Sequence, residues 1–240
     1  MDHDLKIIDS ASREHEQISQ KPGWVEHDPT EIFNKVIECL KEVCDRNGLS
    51  KANVKALGIT NQRETTTAFD KKTGVPYYNS IVWMDQRTTG VVKKMVEKNN
   101  GNVDAYRQDC GLPINTYFSA QKMRWLLENV DELKNPPKDL CLGTIDTWLI
   151  AKLTDCKSIV TDSSNACRTM LMDINTLEWS DKMLAEYEMN KEWLPTIIKD
   201  SNGDFGVVTS DKIPALNGVP ITGVLGDQHA ACLGHVLREG

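Results

Sequence analysis

The chain of 240 residues carries 28 Lys and Arg against 35 Asp and Glu, for a formal net charge of −7. That length supports one large domain or two small ones, each with a real core. The acidic balance, with its basic residues scattered, argues against the basic face that nucleic-acid binding requires. Seven cysteines, odd in number and widely spaced, form no CxxC pair, so neither a zinc site nor a redox motif is indicated. His3, His15, His27, His229 and His235 show no metal-ligand spacing either. The first ten residues, MDHDLKIIDS, lack the basic and apolar regions of a signal peptide. No apolar stretch approaches the roughly 18 residues needed to span a bilayer. The expected setting is a reduced protein of the soluble cytoplasm.

In chain order, residues 5–8 form a short apolar run and 13–18 alternate weakly, so two edge-like strands are expected. The clearest helix follows. Asp28, Pro29 and Glu31 read as N-cap, N1 proline and N3 acid, a capping-box arrangement. Phe33, Val36, Ile37, Leu40, Val43 and Cys44 then recur at helical spacing up to Gly48. Residues 54–60 (VKALGIT), 67–70 and 80–83 read as strands, and 91–98 and 119–130 as helices, the latter capped by Ser119. Residues 140–143 lead into a helix with Asp146 as its expected cap, and 180–187 read as a helix. Residues 221–225 form the last strand, followed by a small-residue helix around Ala230, Ala231 and Gly234. Strands alternating with helices give an α/β fold with mixed strand directions.

Four segments carry candidate chemistry. In GITNQRETT (58–66) an apolar strand delivers Arg63 and Glu64 at its C-terminal end, where α/β sheets place ligands. A donor fork beside an acceptor-only carboxylate can grip neighbouring hydroxyls, and the same pair also fits an ion pair or a solvated strand end. In SIVWMDQRT (80–88), Trp83 either covers the C–H face of a small ligand or fills the core at a strand end. In YFSAQKMRWLLEN (117–129), Met123, Leu126 and Leu127 line one packing face, and Tyr117 offers a free polar handle. In GVLGDQHA (223–230) a glycine turns the chain into Asp227 and Gln228. That aspartate is either a proton acceptor for a substrate hydroxyl or a helix cap.

Together and in this order, these segments resemble the FGGY carbohydrate kinase family. PGWVEHDP (22–29), YNSIVW (78–83), GTIDTWLI (143–150), TDSSNACRTML (161–171) and GDQHAA (226–231) extend the resemblance along essentially the whole chain. NQRETT and PGWVEHDP favour the branch that acts on glycerol over the pentose and gluconate members. The resemblance implies an actin-like, ribonuclease-H-like α/β fold with a mixed sheet flanked by helices. It also implies phosphorylation of glycerol by ATP with Mg²⁺, and homo-oligomers among full-length members. By position, Arg63, Glu64, Tyr117 and Asp227 would hold the glycerol hydroxyls, Trp83 would cover the carbons, and Gln228 would lie beside them. Asp227 would be the general base. Cys167 stands where many members have serine.

The family pattern places residues 1–228 in the substrate-binding domain and 229–240 at the start of a connector. No segment reads as a phosphate cradle: neither GxxxxGK[ST] nor GxGxxG occurs. The expectation is therefore an N-terminal piece whose first strands, phosphate loop and adenosine pocket lie elsewhere, catalytically incomplete by itself. The rival readings are another sugar kinase of the family and a gene fragment without enzymatic activity.

Overall fold

The computed structural model describes residues 1–235 apart from His3 and Leu5. The elements in chain order are β1 (Glu26–His27), α1 (Pro29–Asn47), β2 (Leu57–Asn61), β3 (Thr66–Asp70) and β4 (Ser80–Ile81). Helices α2 (Thr89–Lys98), α3 (Arg107–Cys110) and α4 (Ser119–Asn129) follow. Next come β5 (Leu140–Thr144), α5 (Ile145–Leu153), β6 (Val160–Asp162) and α6 (Ser163–Ala166). The chain continues through β7 (Met172–Asp173), β8 (Glu178–Trp179), α7 (Asp181–Glu186) and β9 (Thr196–Ile198), ending with β10 (Ile221–Gly226) and α8 (Asp227–Gly234). Among the described residues no helix is long and apolar enough to cross a membrane.

The central sheet has the order β1-β4-β3-β5 and is antiparallel throughout. Its two faces are read from the alternation of neighbouring side chains. Ala68 on β3 and Leu140 and Leu142 on β5 join a core with α2, α3, α4 and α7. Phe69 and Cys141, the intervening residues, join the opposite core with α1 and α5. Helices thus cover both faces, which is why β3 and β5 are buried along their length, with only Asp70 partly exposed. The second core also takes in Ile221 and Val224 of β10, which pairs in parallel with β2.

Local signals explain α1 well, with one exchange of partners. Asp28 accepts from the Thr30 N–H, Pro29 occupies the first turn, and Gly48 closes the helix at φ 61°. Glu31, expected to close a capping box, instead accepts from the Glu16 N–H at 3.1 Å. Elsewhere the expected caps shift. Ser119 is the first residue of α4, not its cap, and its hydroxyl donates to the Glu64 carbonyl at 3.1 Å. Asp146 lies inside α5, fully buried, where Oδ2 accepts from the Thr161 hydroxyl at 2.6 Å. Burial pushes its carboxyl up to about 6. The strands expected at 5–8 and 13–18 do not form: Leu5 lies outside the described residues, residues 6–17 are irregular, and Ile18 makes only a single bridge to Glu26. Helix α8 spans the expected domain boundary at residue 228, and residues 236–240 of the expected connector lie outside the described residues.

The loop after β4 is held by a buried cationic box. Arg87 forks onto Asp85 (Nε–Oδ1 2.9 Å, Nη2–Oδ2 2.8 Å) and reaches Glu26 Oε1 at 2.7 Å. Its guanidinium lies 3.9 Å from the centroid of the Trp24 ring and 4.9 Å from that of Trp125. Tyr78 and Asn79 donate to the remaining acceptor capacity of Glu26. Such a bidentate, sandwiched geometry suits arginine and not lysine. It fixes residues 82–88, and with them Trp83. Removing the cation leaves two buried carboxylates uncompensated. Arg87→Met should therefore lose about 3–5 kcal/mol of folding stability, read from urea denaturation followed by tryptophan fluorescence. A loss below about 1 kcal/mol would contradict the box as described.

Candidate functional site

Strands β2 and β10 run parallel, with Asn61 registered against Gly226, so both deliver the chain from their C-terminal ends at the same level. Arg63 and Glu64 follow one strand, Asp227 and Gln228 the other. The crevice beyond the C-terminal ends of parallel strands is where open α/β sheets bind ligands. Two asparagines brace this end: Asn61 and Asn165 exchange side-chain amide hydrogen bonds of 2.9 and 3.2 Å. Asp162 caps α6 below them by accepting from the N–H groups of Ser164 and Asn165.

The Arg63 side chain lies across the end of β10, its Nε 3.3 Å from Asp227 Oδ1. The Arg63 side chain is 12% exposed and that of Asp227 46%, so the cation sits on the protein side and the carboxylate faces solvent. Passage of the arginine requires glycine at 226. A Cβ there would lie 2.4 Å from Arg63 Cδ and 2.7 Å from Cγ. The Gly226 N–H donates to Ser164 Oγ at 2.8 Å, which fixes the crossing point. Asp227 opens α8, and its Oδ1 accepts from the Gln228 N–H at 2.7 Å. Gln228 is exposed beside it.

Glu64 stands at φ 60°, a left-handed conformation that costs a non-glycine residue about 1–3 kcal/mol and collects at ligand clamps. Three bonds hold it there. Its carbonyl accepts from the hydroxyls of Thr66 (3.0 Å) and Ser119 (3.1 Å), and Oε1 accepts from Arg168 Nε at 2.6 Å. Burial raises the Glu64 carboxyl above its ordinary pKa, and Arg168 opposes the rise. Arg168 also lies over the rings of Tyr117 (5.7 Å to the centroid) and Phe118 (4.9 Å). Trp83 and Tyr117 meet with ring centroids 5.5 Å apart at 59°, and the Trp83 N–H is directed at Thr65 Oγ1 (3.3 Å). The aromatic pair thus sits beside Thr65 and Glu64, one residue beyond Arg63.

The structure joins Arg63 to Asp227 directly, Trp83 to Tyr117 directly, and Glu64 to Tyr117 through Arg168. Arg168 and Gly226 are additions to the sequence-derived set. Lys122 is a third, with its Nζ bonded to the carbonyls of Thr116 (2.9 Å) and Tyr117 (2.5 Å) behind the aromatic wall. Lys122 had a legible signal: it stands three residues after Ser119 and four before Leu126, on the buried stripe of α4. The arrangement offers charged donors, an accessible carboxylate and an aromatic face, which is chemistry for a small polyhydroxylated molecule. A cavity of about 250 Å³, lined by Met95, Lys98, Arg124 and Tyr187, lies apart from these residues, among α2, α4 and α7. Among the described residues no three His, Cys, Asp or Glu side chains converge as a metal cluster.

The sequence profile of the FGGY family of carbohydrate kinases, N-terminal domain, matches residues 1–234. The chain belongs to the FGGY family. It is 43% identical over 245 aligned positions to a glycerol kinase of Escherichia coli (strain K12 / DH10B), covering all of this chain and 48% of that protein. The crystal structure of Plasmodium falciparum glycerol kinase with ADP superposes with a TM-score of 0.91 at 41% identity, covering 98% of this chain and 47% of that one. A gluconate kinase from Lactobacillus acidophilus (TM-score 0.81, 21% identity, 94% of this chain and 44% of that one) shares the fold. The fold is accordingly the actin-like, ribonuclease-H-like one. The chain spans about half the length of the curated relatives it matches.

The crossing at Gly226 makes a direct prediction. Gly226→Ala should leave the fold intact and push Arg63 off its path, separating Nε from the Asp227 carboxylate by more than about 4 Å. A crystal structure of the variant reads this distance; an unmoved Arg63 would show that the glycine has another reason.

Proposed function

We propose that the protein carrying this chain is a glycerol kinase, transferring the γ-phosphoryl group of ATP to a terminal hydroxyl to give sn-glycerol 3-phosphate. The observation that carries the reading is the Arg63–Asp227 pair across two parallel strand ends, set beside the Trp83–Tyr117 wall. The Escherichia coli and Plasmodium falciparum relatives, each more than 40% identical to the chain, are glycerol kinases, which supports this substrate over a pentose or gluconate.

A triol has little apolar area, so its affinity must come from oriented hydrogen bonds. In this reading Arg63 donates to one hydroxyl, Glu64 accepts from its neighbour, and the Tyr117 hydroxyl takes a third position. Trp83 covers the C–H face and excludes water from it. Gln228 borders the end of the groove. Asp227 takes the proton of the attacking hydroxyl as its oxygen forms the new O–P bond and the bond to the ADP leaving group breaks. Asp227 is well placed to act as this base, since it is open to solvent, the Gln228 N–H donates to its Oδ1, and the Arg63 guanidinium lies within ion-pair distance. ATP would supply the phosphoryl group, and Mg²⁺, which takes one or two carboxylates together with substrate phosphates, would neutralise charge on it.

A coupled assay for glycerol 3-phosphate on the full gene product tests the reading. Arg63→Ala should raise the glycerol KM roughly ten- to a hundredfold, since a buried site loses a charged donor. Asp227→Asn keeps the shape of the site and removes the proton acceptor, so kcat should fall about 10²- to 10⁴-fold with KM little changed. Near-normal kcat in Asp227→Asn would reduce that residue to an orienting group, and two unaltered variants would remove the site assignment.

A further inference from the structure

Lys122 is fully buried at the start of α4, a costly place for an ammonium group unless every proton finds an acceptor. Its three acceptors are main-chain carbonyls of consecutive residues: Thr116 at 2.9 Å, Tyr117 at 2.5 Å and Phe118 at 3.4 Å. The nearby carboxylates have other primary partners. Glu64 is bonded to Arg168, and Asp85 to Arg87. The neighbours of Lys122 along the helix stripe, Met123 and Leu126, are apolar and buried, and packing alone would be served as well by another apolar side chain.

We propose that Lys122 is a positioning residue for the substrate: its ammonium gathers the carbonyls of residues 116–118 and so sets the Tyr117 ring against Trp83 in the glycerol groove. This rests on the glycerol reading above. The Tyr117 carbonyl is the one most closely bonded, and its ring is the one that meets Trp83 at 5.5 Å and lies under Arg168. Loss of the charge would release the loop and let the ring swing, without touching Asp227.

Charge on Lys122 is also conditional. Burial pushes its ammonium down to about 7, with Glu64 and Asp85 favouring the charged form and Arg87 opposing it. Of the other groups near the groove, burial raises the Glu64 carboxyl above its ordinary value. His229 titrates below its ordinary value, because of burial and then Arg63, and burial raises the Tyr117 hydroxyl above its own. Because the folded pKa of Lys122 is depressed, the folded state binds fewer protons than the unfolded state between about 7 and the ordinary lysine value. Stability therefore rises with pH through that window, while the grip on the loop weakens. The two effects have opposite signs.

The test uses the full gene product from about pH 6.5 to about pH 9, measuring glycerol KM, kcat and thermal midpoint. Wild type should show a KM that rises above pH 7 with kcat steady, and a midpoint that rises over the same range. Lys122→Met should raise KM about tenfold or more at the acid end, abolish both pH dependences above 7 and leave kcat within about twofold. Lys122→Arg, which keeps its proton throughout, should hold KM near the wild-type acid value across the range. A folded Lys122→Met with wild-type KM overturns the proposal, as does a KM that still climbs with pH in Lys122→Arg. Absence of glycerol-dependent turnover in wild type overturns the underlying function. In that case the thermal midpoints still report whether Lys122 sheds its proton in the fold, which separates the two failures.

Discussion

Everything at the candidate site depends on two parallel strands ending at the same height. Asn61 of β2 is registered with Gly226 of β10, and beyond that line each chain turns away carrying its charged residues. A shift of one residue in register would send Arg63 to the other face of the sheet. The register is pinned from below by the Asn61–Asn165 amide exchange and from the side by the Gly226 N–H to Ser164. Glycine at 226 is then needed for space, since the arginine side chain occupies the volume a Cβ would take.

The second constraint is the strained backbone at Glu64. A carboxylate held at positive φ and almost completely buried would relax in an isolated loop. Here α4 supplies the Ser119 hydroxyl, β3 the Thr66 hydroxyl, and the segment after α6 the Arg168 guanidinium. Three separate parts of the chain converge on one residue, and Arg168 also lies over the Tyr117 ring. The buried Arg87 box does the same for Trp83 from the opposite side, by locking the loop that follows β4. Glu64 and Trp83 are thus each held from behind, Glu64 by Ser119, Thr66 and Arg168 and Trp83 by the Arg87 box.

Much of this was legible in the residues, and the failures have a common cause. The α1 helix could be read from Asp28 to Gly48 because its caps and stripe are local. Strands β2, β3 and β10 were visible because their apolar runs are bounded by turn residues. What sequence could not show is which distant group would compete for a polar side chain. Glu31 turns to the Glu16 N–H, Ser119 to the Glu64 carbonyl and Asp146 to Thr161, so three local capping signals gave way to tertiary partners. Ile7 and Ile8 looked strand-like but are exposed, and an apolar run makes a strand only where a neighbour pairs with it. Among site residues, Arg63, Glu64, Trp83, Tyr117 and Asp227 were named from motif chemistry and resemblance. Arg168 escaped because it acts through another side chain, and the helical spacing of Lys122 marks its burial but not the carbonyls it gathers.

The central claim is that these residues, brought together by the β2–β10 register, form the place where a small triol is held. A crystal structure of the full gene product grown with glycerol addresses it most directly. The account expects the triol between Arg63, Glu64 and Asp227, its hydroxyl oxygens within about 3.2 Å of their side chains and its carbons over the Trp83 ring. Glycerol bound elsewhere at full occupancy, with the Arg63–Asp227 groove filled only by solvent, would contradict it.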